Sequence, residues 1–226
     1  MDNKKELGAV KAVILDVDGT LMDTNYLHVE AWARAFDKVG ERPTRAHIHR
    51  EVGKGSDKLI PTLVQNGDVT DHINDLYKEI YSELQKQAHP LPGAEDLLAH
   101  LAESGYAVWL ATSAGQEEME FTLEELDAEG RISGVVSSSE AESSKPAPDI
   151  FDLTLEKAGL SAHEAVAVGD SIWDVQAAGD AGIQTIAVMT GGAFSRAEFE
   201  EAGAAAVFED CTELLESGIF EAAGGS

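Results

Sequence analysis

The sequence predicts an α/β fold: a doubly wound, mostly parallel sheet carrying an all-helical insertion after its first strand. Three observations predict it. Short, β-branched apolar runs recur along the chain and stop at Asp, Gly or Ala-Thr, as strands buried on both faces do. Helical periodicities separate most of these runs after residue 93, which is the alternation of a doubly wound sheet. Between residues 24 and 88 the period is helical and no run reads convincingly as a strand.

The first strand is expected at 10–15, where Val13, Ile14 and Leu15 lead into Asp16-Val17-Asp18-Gly19-Thr20. The insertion follows, with Trp32, Phe36 and Val39 on one helical face and Leu76, Ile80, Tyr81 and Leu84 on another, enough for three or four helices. Pro90 and Pro92-Gly93 punctuate the return to the core. A helix at 94–103 presents Leu97, Leu98 and Leu101 and stops at Gly105. Another at 150–158 presents Phe151, Leu155 and Ala158 and is closed by Gly159. Further strands are expected at 107–111, 134–136, 165–168 and 185–189, with a weaker sixth at 205–208. The core is thus a Rossmann-like domain of residues 1–22 and 92–226, and residues 23–91 form a helical cap. Residues 222–226 read as a frayed tail.

At 226 residues with 43% hydrophobic content, the chain can bury an ordinary core. It has no apolar run approaching the roughly 18 residues that span a bilayer, and its first eight residues lack the apolar centre of a secretory signal. The single cysteine, Cys211, cannot close an internal disulfide and reads as a half-buried packing residue, which fits a reducing cytoplasm. A net charge of −26 argues against nucleic acid or an anionic membrane as partner. An anionic substrate would approach against that field, so local cations or a metal must hold it. The acidity suits a salt-rich habitat or simply a strongly solvated surface, and nothing decides between monomer and homodimer.

Ligands of an open parallel sheet bind beyond the carboxyl ends of its strands. The first strand ends in Asp16 and Asp18, the second in Thr112 and Ser113, and the fourth in Gly169-Asp170-Ser171 with Asp174 close behind. Lys145 precedes Pro146 at the mouth of a helix. Carboxylates gathered at one edge repel one another, so a divalent cation is the natural guest. Oxygen ligands without clustered His or Cys favour Mg²⁺ over zinc.

Asp16-Val17-Asp18-Gly19-Thr20 resembles the first motif of the haloacid dehalogenase superfamily, whose members are mostly phosphatases. Thr112, Lys145-Pro146, and Gly169-Asp170 with Asp174 follow in the family's order, and the resemblance covers nearly the whole chain, with a cap of the subfamily I type. It implies that Asp16 attacks phosphorus and forms an aspartyl phosphate. It implies that Asp18 protonates the leaving oxygen, then deprotonates water, and meets the metal through its backbone carbonyl. Asp16 and Asp170 would supply side-chain ligands to Mg²⁺. Asp174 would hold a second shell or a metal-bound water, unless it only caps or orients. Thr112 and Lys145 would hold phosphoryl oxygens, with backbone amides near Gly19, Thr20 and Ser113 as further donors.

In the cap, His28 resembles a histidine that related sugar-phosphate mutases carry at the hinge; a packed or surface histidine is the alternative. Gly53-Lys54-Gly55-Ser56 resembles the family's substrate-specificity loop, in which Lys54 would touch substrate, against the plain reading of an interhelical turn. His47 and His49 are expected to be exposed, Trp109 to be core and Trp173 to pack. Gly191-Gly192 lacks the lysine of a phosphate loop. The leading expectation is a Mg²⁺-dependent phosphatase of a small phosphorylated metabolite, a sugar phosphate or phosphoglycolate. The alternatives are a β-phosphoglucomutase-like mutase and, in another class, a non-catalytic metal-binding or assembly module.

Overall fold

A computed structural model describes residues 10–64 and 70–221. Its sheet has six parallel strands, β1 (Ala12–Leu15), β2 (Ala107–Thr112), β3 (Gly134–Ser137), β4 (Ala165–Gly169), β5 (Gln184–Val188) and β6 (Ala206–Phe208), in the order β3-β2-β1-β4-β5-β6. Four helices lie between β1 and β2 and belong to the insertion: α1 (Asn25–Lys38), α2 (Arg45–Glu51), α3 (Ser56–Leu63) and α4 (Thr70–Leu84). Of the rest, α5 (Ala94–Glu103) leads from the insertion into β2, α6 (Gln116–Glu125), α7 (Asp149–Ala158), α8 (Ile172–Asp180) and α9 (Arg196–Ala202) lie between later strands, and α10 (Cys211–Glu216) follows β6. The tail expected to fray, 222–226, lies outside the described residues.

Side chains alternate across the sheet with the two-residue period of a strand. Val13 and Leu15 of β1 face Leu97, Leu98 and Leu101 of α5 and Leu214 of α10. Ala12 and Ile14 face Ile150, Phe151 and Leu155 of α7 and Ala177 and Ala178 of α8. The insertion has its own core of Trp32, Phe36, Ile48, Leu59, Ile60 and Ile73. Removing Phe36, wholly buried there, would cost about 3–5 kcal/mol.

Strand ends differ from the sequence expectation where the ladder decides them. Thr112 and Gly169, expected just beyond their strands, pair in register with Ser137 and Ala187. The 10–15 strand begins at Ala12, and the 185–189 strand is displaced by one residue to Gln184–Val188. Trp109 of β2 is only partly buried, against the α7 face. No helix among the described residues is long and apolar enough to cross a membrane.

Cys211 is wholly buried rather than half-buried, because it opens α10 beneath the β1 loop and its thiol donates to Thr20 O at 3.4 Å. Burial, with Asp210 beside it, pushes the thiol from an ordinary 9.0 up to about 12. The thiol is neutral in the fold while the unfolded chain ionises near 9. Its contribution to stability is therefore full below that value and is lost as pH climbs toward 12. A disulfide reagent at pH 8 is expected to label Cys211 only as fast as the protein unfolds. Rapid stoichiometric labelling of the native protein would refute this burial.

Candidate active site

The strand order reverses between β1 and β4: from β1 the chain runs out to β3, then returns to β4 on the other side. The crevice outside their carboxyl ends is where such a sheet binds ligands. Asp16 follows β1 there, fixed by its N–H donating to Val168 O at 2.9 Å. A tight turn follows, in which the amides of Thr20, Leu21 and Met22 all donate to Val17 O, and Gly19 sits at φ +74°. Leu21 and Met22 are wholly buried and anchor the turn, so Asp16 and Asp18 are presented by a rigid frame.

Lys145, from the loop before α7, reaches the same point with 1% of its surface exposed. Its ammonium lies 2.6 Å from Asp16 Oδ1 and 2.7 Å from Asp174 Oδ1, and donates to Ala111 O at 3.1 Å. Burial works against its charge, but Asp16 and then Asp174 outweigh that and hold it protonated. Asp174 has two roles. Its Oδ2 accepts from the Ser171 amide at 3.1 Å and the Ser171 hydroxyl at 2.5 Å, closing a capping box on α8, while its Oδ1 faces Lys145. Asp170 accepts from Thr20 Oγ1 at 3.3 Å and from Asn25 Nδ2 at 2.8 Å.

Asp16, Asp170 and Asp174 place carboxylate oxygens within 4.8 Å of one another, all buried. Lys145 pairs with two of the three. Burial, opposed by Lys145 but reinforced by Asp174 and Asp18, pushes Asp16 up to about 7. Burial, then Asp16 and Asp174, raise Asp170 well above the carboxylate range. Asp16 and Asp170 therefore hold their protons more tightly than ordinary carboxyls. Hard, buried oxygen donors with excess negative charge fit Mg²⁺ and do not fit a soft metal.

Asp18 turns the other way, toward the cap. Its Oδ1 accepts from Thr24 Oγ1 at 2.7 Å and lies 2.9 Å from His28 Nε2, and its Oδ2 accepts from Thr112 Oγ1 at 3.3 Å. Burial works to raise this carboxyl, but His28 and Thr24 outweigh it and hold it below the usual range. His28 is itself fixed by Tyr77 Oη, 2.8 Å from Nδ1, and stacks on Tyr81 at 4.1 Å between ring centres.

Of the residues expected at the site, Asp16, Asp170, Asp174, Lys145 and Thr20 meet directly, and Gly19 shapes the turn that carries them. Thr112 is one step removed, through Asp18. Ser113 ties core to cap, its hydroxyl donating to Gly53 O at 3.1 Å. Lys54 lies over the Trp173 ring at 3.6 Å with Glu51 2.5 Å away, so its charge is already matched. His47 is exposed as expected. His49 is half-buried and reaches across to Gly191 O at 2.8 Å, a correction that follows from α2 docking on the core. Sequence reasoning assigned no role to Asn25 or Tyr77. Asn25 carried a weak signal, a polar residue opening the first cap helix; Tyr77 carried none, since its helical spacing reads simply as packing. A cavity of about 410 Å³ lies between core and cap, lined by Asp16, Asp18 and Ser113 from one side and His28, Lys54 and Tyr77 from the other.

The model of the haloacid dehalogenase-like hydrolase family matches residues 13–188. The chain belongs to that family. Within these hydrolases it is 31% identical over 182 residues to the phosphorylated carbohydrates phosphatase of Thermotoga maritima, covering 78% of this chain and 84% of that one. It is 30% identical over 197 residues to the phosphoglycolate phosphatase of Aliivibrio fischeri, covering 80% and 85%. A crystal structure of a hydrolase from Pseudomonas syringae superposes with a TM-score of 0.86 at 30% identity, over 92% of this chain and 97% of that one. The haloacid dehalogenase-like core and its helical insertion are therefore shared along almost the whole length.

Proposed function

We propose that this hydrolase is a Mg²⁺-dependent phosphomonoester phosphatase, acting on a small phosphorylated metabolite through an aspartyl phosphate on Asp16. The observation that carries the reading is the buried Asp16–Lys145–Asp174 cluster with Asp170 beside it, at the sheet's switch point and open to a cap-covered cavity. The relatives that hydrolyse phosphorylated carbohydrates and phosphoglycolate support a substrate of that class. Residues 1–22 and 92–226 are read as the core domain and 23–91 as the cap.

Asp16 would attack phosphorus through a carboxylate oxygen, breaking the ester P–O bond as the new one forms. Lys145 fixes Asp16 and offsets its repulsion from the incoming dianion. Asp18 gives a proton to the leaving oxygen, then takes one from the water that cleaves the aspartyl phosphate. The ionised form favoured by His28 and Thr24 serves the second half. The dianion, repelling the Asp18 charge, favours the protonated form for the first. Asp16 and Asp170 would hold Mg²⁺, with the Asp18 carbonyl as a further oxygen and Asp174 behind them; bound there, the ion would offset charge on the phosphoryl oxygens.

A mutase must also grip a second phosphate. The cap loop offers only Lys54, already matched by Glu51, and Lys58, beside Asp57, and neither has the bidentate fork of arginine. That disfavours the mutase, and membership of a hydrolase family disfavours a non-catalytic module. The test is a phosphate-release screen over phosphorylated metabolites, with and without Mg²⁺, including β-glucose 1-phosphate and 2-phosphoglycolate. Free phosphate, strictly dependent on Mg²⁺, is expected. Glucose 6-phosphate as the product would overturn the phosphatase reading in favour of the mutase.

A further inference from the structure

Two donors from different parts of the molecule reach the Asp170 carboxylate, and the Thr20 hydroxyl shares its one proton with Asp16 Oδ2, also at 3.3 Å. Thr20, at 3.3 Å from Asp170 Oδ1, belongs to the core turn; Asn25, at 2.8 Å from Asp170 Oδ2, is the first residue of cap helix α1. The Asn25 amide also reaches Gly191 O, at 3.3 Å. Two glycines enclose this pair. A Cβ on Gly19 would lie 2.3 Å from Asn25 Nδ2 and 2.4 Å from Asp170 Oδ2, and one on Gly191 would lie 1.8 Å from Asp170 Oδ2. Neither neighbour could bear a side chain without displacing the amide or the carboxylate. Thr190 Oγ1, donating to Gly19 O at 2.5 Å, ties the two glycine segments together. Asn25 is buried, and among the described residues its Oδ1 has no hydrogen-bond partner. A buried polar atom without a partner is costly, so the side chain is held there by what its Nδ2 does.

We propose that Asn25 is a positioning residue for Asp170, fixing the metal-binding carboxylate from the first turn of the cap and so linking metal affinity to cap docking. The proposal rests on Asp170 being a Mg²⁺ ligand. Partners that orient a ligating carboxylate from behind typically govern metal affinity by 10–100-fold. Linkage is reciprocal: if the docked α1 favours the ion, the ion favours docked α1.

The test is calorimetric titration of Mg²⁺ into the full-length protein without substrate. Asn25→Ala is expected to weaken Mg²⁺ binding by about tenfold or more, and the Mg²⁺ concentration giving half-maximal phosphate release should rise by the same factor. Asn25→Ser keeps a side chain suited to a helix start but is too short to reach Asp170. It should weaken Mg²⁺ equally, so the result does not depend on one variant folding. Melting curves in chelator establish that each variant is folded. In the wild type, Mg²⁺ should also slow amide hydrogen exchange in the first turn of α1, and that slowing should vanish in both variants. Unchanged Mg²⁺ affinity in folded Asn25→Ala and Asn25→Ser would overturn the positioning role while leaving the metal site intact. A wild type that binds no Mg²⁺ would overturn the metal site itself.

Discussion

Asp16→Asn is expected to reduce turnover of any phosphate ester the wild type hydrolyses by roughly 10⁴-fold or more, the scale on which enzymes lose activity when a nucleophile is removed. An amide nitrogen or oxygen at this position is no nucleophile toward phosphorus, so the covalent adduct should vanish with the activity. The fold should survive. The amide oxygen can still accept from Lys145, which lies 2.6 Å from Asp16 Oδ1, and Lys145 keeps its second partner, Asp174. One carboxylate fewer in a buried group of three also removes the Asp16 charge that adds to burial in raising Asp170. The melting temperature in chelator should therefore match or exceed that of the wild type. Two measurements decide it: steady-state phosphate release, and mass spectrometry of the protein quenched during turnover. Activity within tenfold of wild type, or an adduct on another residue, would remove Asp16 from its role.

The parts of this molecule legible in the sequence are those whose position follows from chain direction alone. Each strand of a parallel sheet delivers its last residue to the same edge, so Asp16, Thr112 and Asp170 converge once the strands are identified. Lys145 and Asp174 were legible through motif order, although the double role of Asp174, capping α8 with one oxygen and pairing Lys145 with the other, needed the side-chain geometry. The cap was legible as helices and no further. Which way its helices face depends on how α1 and α4 pack, and that packing brings Tyr77 to His28 and Asn25 to Asp170 across 49 and 145 residues of sequence. Cys211 and His49 depart from the sequence expectation for a related reason. Burial of a residue at a helix end is set by the loop or domain that lands on it, and neither the β1 turn over Cys211 nor the Gly191 turn after β5 that meets His49 is local in sequence. Strand ends slipped by one or two residues because hydrogen-bond register, a property of the partner strand, decides them.

Lys145→Met is expected to have the largest effect on stability of any single substitution in the site. The methionine matches the aliphatic stem but leaves Asp16 and Asp174 without their cation at a buried site, where Lys145 has 1% of its surface exposed. Removing one partner of a buried ion pair costs about 3–5 kcal/mol, far more than an exposed pair contributes. The protein has one escape, which is to protonate. Asp16 is already pushed up to about 7 with Lys145 present, and without the ammonium it should rise further. A carboxyl whose folded value lies above its unfolded one near 4 takes up a proton on folding, so its penalty is smallest in acid and grows as pH rises through the interval between the two. Urea melts in chelator should thus show a deficit near the full 3–5 kcal/mol at pH 7.5 and a clearly smaller one at pH 5. Added Mg²⁺ should recover part of the loss at pH 7.5, since it binds the folded cluster and not the unfolded chain. Activity should stay lost even where stability returns, because the ion restores charge balance but not the donor that fixes Asp16. A deficit below about 1 kcal/mol at pH 7.5, or one that does not shrink in acid, would mean that Lys145 does not compensate these carboxylates, and the buried cluster would have to be rebuilt around some other cation.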